Sequence, residues 1–88
     1  MTERLTSVAL IRNGVTESRG FKSHSELRGA LGDANPYTSN LTDEEGFMTS
    51  TGRFVTRQIA VDIAIAAGQI NKTWRHAQRK LLSSDINW

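Results

Sequence analysis

Eighty-eight residues with a formal charge of only +2 are enough for one domain and one modest core. The chain contains no cysteine, which excludes disulfides and thiolate metal sites, and its two histidines, His24 and His76, lack metal-ligand spacing. No apolar run approaches the length needed to span a bilayer, and the start MTERLTSVALIR has too short an apolar stretch for a secretion signal. The expectation is one soluble cytoplasmic domain over residues 1–88, stapled by association into a homo-oligomer, a dimer or higher.

Ser7 to Arg12 is a short apolar run, and Asn13-Gly14 follows at once. That pair favours a two-residue type I′ turn, because both positions need positive φ. Val15 to Phe21 then reads as the returning strand of a hairpin. Ser23 or Ser25 can cap a short helix, with Leu27, Ala30 and Leu31 on one face and Gly32 as its stop. Pro36 to Glu45 is polar and reads as a loop.

Gly46 to Arg57, GFMTSTGRFVTR, is the richest segment chemically. Gly46–Thr49 and Arg53–Val55 read as short strands about the bend Ser50-Thr51-Gly52. Thr56 supplies an N-cap for a second helix, RQIAVDIAIAAG, whose stripe is Ile59, Ala60, Ile63 and Ala67, widened by Val61 and Ile65; Gly68 ends it. The closing Leu81, Leu82, Ile86 and Trp88 are too apolar for a free tail and should dock on the sheet or on a neighbouring subunit. These elements give an α+β fold: a small antiparallel sheet, made of the N-terminal hairpin plus short central strands, packed with two principal helices.

Thr49, Ser50 and Thr51 beside Arg53 and Arg57 combine hydroxyls with fork-shaped cations suited to phosphate or carboxylate. The competing reading is a turn whose hydroxyls cap their own backbone. Phe47 and Phe54 either offer flat faces to a base or belong to the core. His24 and Arg28, at i and i+4, can share a helix face. Lys72, Arg75, Arg79 and Lys80 form a basic stripe without an acid, either a solvated face or a polyanion contact, and Trp74 within it suits base stacking or a dimer anchor. Asp43, Glu44 and Glu45 are adjacent and loop-borne, and no triad or facing carboxylate pair is spaced for catalysis, so an enzyme is not expected.

The run GFMTSTGRFVTRQIAVDIAIAAGQI, with LLSSDINW at the end, resembles the small phage anti-Thoeris proteins, whose pattern includes GF-x-T-x-x-GRFV-x-R. The likeness covers about the last half of the chain, which departs from the pattern in its length, at Thr56 and at Ser84. It implies a cytoplasmic sponge, in an infected bacterial host, that binds a cyclic ADP-ribose isomer or cyclic oligonucleotide without cleaving it and needs no cofactor. On that resemblance Phe47 stacks on adenine. Arg53 and Arg57, with Thr49, Ser50 and Thr51, hold pyrophosphate and ribose, and His24 and Arg28 are further ligand-binding candidates. The alternative is a phage inhibitor of a host defence protein or nucleic-acid complex, anti-CRISPR-like, acting through the basic segment; a nucleic-acid partner is the less favoured expectation and a membrane is not expected.

Overall fold

The computed structural model describes residues 2–38, 42–71 and 81–88. Four antiparallel strands form one sheet in the order β2-β1-β3-β4: β1 (Leu5–Arg12), β2 (Val15–Glu17), β3 (Glu44–Thr49) and β4 (Phe54–Thr56). Among the described residues, helices α1 (His24–Ala30) and α2 (Arg57–Ala66) join the sheet in an α+β fold, with a 3₁₀ turn at Ser83–Asp85. The basic stripe lies within residues 72–80, outside the described residues.

The first hairpin forms as its turn chemistry dictates. Asn13 and Gly14 have φ of 53° and 76°, and Arg12 pairs with Val15. The returning strand stops at Glu17, short of the expected Phe21. Gly20 takes a φ of 77°, and the Ser18 hydroxyl turns to Ser7 Oγ at 3.1 Å, so the chain leaves the ladder. Phe21 still accepts the Val8 N–H at 2.9 Å.

Helix α1 buries His24, Leu27 and Arg28, with Leu31 partly buried beyond them. Ala30, expected on the inner face, is exposed. The inward stripe is therefore i, i+3, i+4, i+7, with two polar members. Gly32 at φ 87° then releases the chain, and the Asp33 N–H caps the Arg28 carbonyl at 3.1 Å.

β3 begins at Glu44, inside what reads as loop, because Ile11 and Leu10 of β1 pair with Glu44 and Glu45. Val8 lies opposite Phe47 in that register, and Phe47 opposite Val55. These residues, with Leu10, pack against Leu27 of α1 and Ala60, Val61 and Ala64 of α2. Phe47 is fully buried, so its ring belongs to the core. The Thr56 hydroxyl accepts the Ile59 N–H at 3.3 Å, an N-cap contributing about 1 kcal/mol. Gly68 ends α2 at φ 72° as expected. The buried stripe is narrower than expected: Ile59 remains 48% exposed, because the alanines 60 and 64 face the sheet instead.

The last residues dock on the chain's own core. Leu81 and Ile86 are buried, and Trp88 packs at 6.1 Å from Phe47, while Leu82 stays outside. Gln69, 2% exposed, clamps both ends: its amide exchanges two 2.8 Å bonds with the Leu5 backbone, and its carbonyl accepts the Asn87 N–H at 2.7 Å.

Candidate ligand-binding cleft

Alternation along β3 decides which acid faces the helices. Glu45, Phe47 and Thr49 share one face of the strand, and Glu44 lies on the other. Glu45 therefore meets the two arginines that the helices bring inward, Arg28 from α1 and Arg57 from the first turn of α2. Arg57 Nη2 donates to Glu45 Oε1 at 2.7 Å, and Arg28 Nη1 donates to Glu45 Oε2. All three side chains are largely buried, at 9%, 7% and 16% exposure for Glu45, Arg28 and Arg57. Arg28 Nε also donates to the Pro36 carbonyl at 2.6 Å, and Arg57 Nη1 to the Leu81 carbonyl.

His24 sits beside this pair. Its Nε2 lies 2.8 Å from the Gly46 carbonyl, which can only accept, so Nε2 carries the proton and Nδ1 is the acceptor. Its ring meets Phe47 edge-on at 5.3 Å. Burial first, then the Arg57 charge, lowers the His24 pKa to about 4, so the imidazole is neutral near pH 7. Burial pushes the Glu45 carboxyl up, but the hydrogen bond and charge of Arg57, with help from His24 and Arg28, outweigh it and hold Glu45 below its ordinary value.

The cluster therefore has two cations, one anion and a neutral imidazole. It opens into a cleft of about 380 Å³, whose wall carries His24, Arg28, Glu45 and Arg57. Ser23, Ser25, Ser83 and Ser84 add hydroxyls, and Tyr37, 83% exposed, supplies an aromatic face at the border. The volume falls within the range of small-ligand sites.

Protonation links this cleft to stability. Unfolded His24 takes a proton below about pH 6.5, whereas folded His24 resists until about pH 4. Between these values the unfolded state binds more protons, so stability falls as pH falls. The urea midpoint should drop from pH 7.5 to pH 5, and His24→Gln should flatten that limb. An unchanged slope in the variant would remove His24 as its source.

The sequence-predicted residues separate into two groups. Arg53 and Arg57, expected to act together, lie beyond opposite ends of β4 and serve different carboxylates. Arg53 joins Thr49 and Thr51 around Glu3: Arg53 Nε and Nη2 each lie 2.8 Å from its carboxylate, and the two hydroxyls donate to Oε2 at 2.6 and 2.7 Å. Ser50 is committed to the N-terminal segment, its N–H donating to the Arg4 carbonyl at 2.8 Å and its Oγ accepting the Arg4 N–H at 3.1 Å. Phe47, expected to stack on a base, is withdrawn by full burial beneath Trp88 and His24. His24, Arg28 and Arg57 do come together.

Sequence reasoning missed Glu45, Tyr37 and Glu3. The acidic run 43–45 splits three ways: Asp43, its side chain fully buried, pairs with Arg12 at 2.7 Å, Glu44 is exposed, and Glu45 enters the cleft. Strand parity with Phe47 was the available signal. Tyr37 and Glu3 carry no local pattern; only the tertiary fold places them.

Among the described residues no helix is long and apolar enough to cross a membrane, and no group of three His, Cys, Asp or Glu residues could hold a metal ion. No curated protein and no solved structure matches the chain. A family model, that of the phage T4 y16D protein, matches residues 10–87, a range that contains His24, Arg28, Glu45 and Arg57. This is a phage protein, and the chain belongs to the phage T4 y16D protein family.

Proposed function

We propose that this phage protein is an anti-defence sponge: it binds and sequesters a cyclic nucleotide immune signal, a cyclic ADP-ribose isomer or cyclic oligonucleotide, without cleaving it. The observation that carries the reading is the convergence of two largely buried guanidiniums on a single carboxylate at the wall of the cleft. One positive charge is left over, in a desolvated setting where charge-assisted bonds to phosphate are strong. Tyr37, in place of the buried Phe47, offers the flat face for a base. Ser83 and Ser84, with Ser23 and Ser25 that share a 2.7 Å hydrogen bond, line the cleft with hydroxyls suited to ribose.

The same groups are poor catalysts. Glu45, held ionised by two arginines, is a weak base, and His24 has its Nε2 proton committed to Gly46 and a pKa of about 4. Binding without turnover is what such a constellation does best.

Calorimetry with cyclic ADP-ribose isomers tests the assignment. Arg57→Ala should weaken binding about 10- to 100-fold, the effect of losing charge-assisted bonds. Arg53→Ala, outside the cleft, should leave it within about twofold on the same scale. Loss of binding in the Arg53 variant alone, with the Arg57 variant unaffected, would move the site to the β3–β4 turn.

A further inference from the structure

Glu3 is attached where a ligand would be expected. Its Oε2 receives Thr49 Oγ1 at 2.6 Å, Thr51 Oγ1 at 2.7 Å and Arg53 Nε at 2.8 Å, while Oε1 receives Arg53 Nη2 at 2.8 Å. Four donors aimed at one carboxylate, two of them a guanidinium fork, form a complete oxyanion cradle. We propose that the β3–β4 turn is a second anion site, shaped for a phosphate or carboxylate group, which the chain's own Glu3 fills until an external anion displaces it.

The turn that carries the cradle is held by bonds of its own. The β3–β4 ladder fixes Thr49, whose N–H donates to the Arg53 carbonyl at 3.0 Å. The Gly52 N–H closes the bend on the Thr49 carbonyl at 2.9 Å, with Gly52 at φ 84°. The Thr51 N–H donates to Thr49 Oγ1 at 3.3 Å, which leaves that hydroxyl's own proton directed at the anion. None of these bonds involves Glu3.

Displacement is also cheap. The Arg53 side chain is 56% exposed and that of Glu3 22%, and exposed ion pairs contribute little net stability. Only the Glu3 side chain and what precedes it must move, because Arg4 is pinned by its two backbone bonds to Ser50 and Leu5 by Gln69. A tethered carboxylate competes as an effective concentration in the millimolar range. The internal occupant therefore sets a threshold that a free anion must exceed. The site is separate from the cleft: Thr49 lies four residues along β3 from Glu45, about 13 Å of strand.

Amide NMR of residues 51–53 at fixed ionic strength and pH 7 tests this, with inorganic phosphate and acetate titrated separately. Glu3→Ala should bind at least one of them about tenfold more tightly than the unmodified chain, the tethered competitor being gone. Glu3→Ala with Arg53→Ala should lose that gain. Tighter phosphate binding names a phosphorylated ligand; tighter acetate binding names a carboxylate. Arg57→Ala should leave the turn's response intact, so a failure of the cleft reading would not touch this one. Equal affinity in the Glu3→Ala and unmodified proteins, or a gain that survives loss of Arg53, would overturn the proposal. Should Glu3→Ala alter the circular dichroism, Glu3→Gln serves, with the same outcomes.

Discussion

Replacing Glu45 with alanine should destabilise the protein by about 3–5 kcal/mol, the cost of stranding buried cations without their counterion. Arg28 and Arg57 both donate to this carboxylate, and neither side chain is more than 16% exposed. Relaxation toward water is therefore limited at both. A small domain has a total stability of about 5–15 kcal/mol, so the variant should stand near the edge of folding. The same reasoning predicts a rescue. An empty space between two guanidiniums is an anion site, so millimolar phosphate should raise the melting temperature of Glu45→Ala well beyond its effect on the unmodified chain. Equal responses in the two proteins would mean that the arginines swing out and do not present a cationic pocket.

Gly46→Ala should be about as damaging, at about 3 kcal/mol or more, for a steric reason. A Cβ on Gly46 would lie 2.1 Å from the Val55 carbonyl oxygen and 2.7 Å from Phe54 Cζ. Phe54 is a side chain and can rotate. The Val55 oxygen is backbone of the paired strand and cannot yield without separating β3 from β4. Gly46 also presents the carbonyl that holds His24, so the distortion should reach the cleft. Urea unfolding reads the loss, and a change below about 1 kcal/mol would contradict the close strand approach.

Local chemistry explains which elements could be read from the sequence. Asn13-Gly14, Thr56 and Gly68 act through their own φ values or a cap only three residues away, and each does what its residue type requires. The helix faces are less legible because polar and small residues share the buried side with the apolar ones. On α1 the inward stripe takes His24 and Arg28 in preference to Ala30, since Gly46 and Glu45 provide partners for buried polar groups. On α2 the small side chains of Ala60 and Ala64 face the sheet, leaving Ile59 outside.

The candidate site was half legible for the same reason. Thr49, Thr51 and Arg53 of the central segment do bind an oxyanion, but it is Glu3, forty-six residues before Thr49. Arg53 precedes β4 and Arg57 opens α2, so three residues of strand between them send the forks to different places. No spacing rule contains that geometry. Glu45 reaches the cleft through strand parity with Phe47, because β3 begins one residue before it, at Glu44.

Mass spectrometry of the folded protein after incubation with cyclic ADP-ribose isomers and cyclic oligonucleotides tests the cleft most directly. One such compound should be retained by the unmodified chain, recovered at its intact mass on heating, and absent from the Arg28→Ala/Arg57→Ala protein. Retention undiminished by that double change, a hydrolysed product, or no retained nucleotide at all would contradict it.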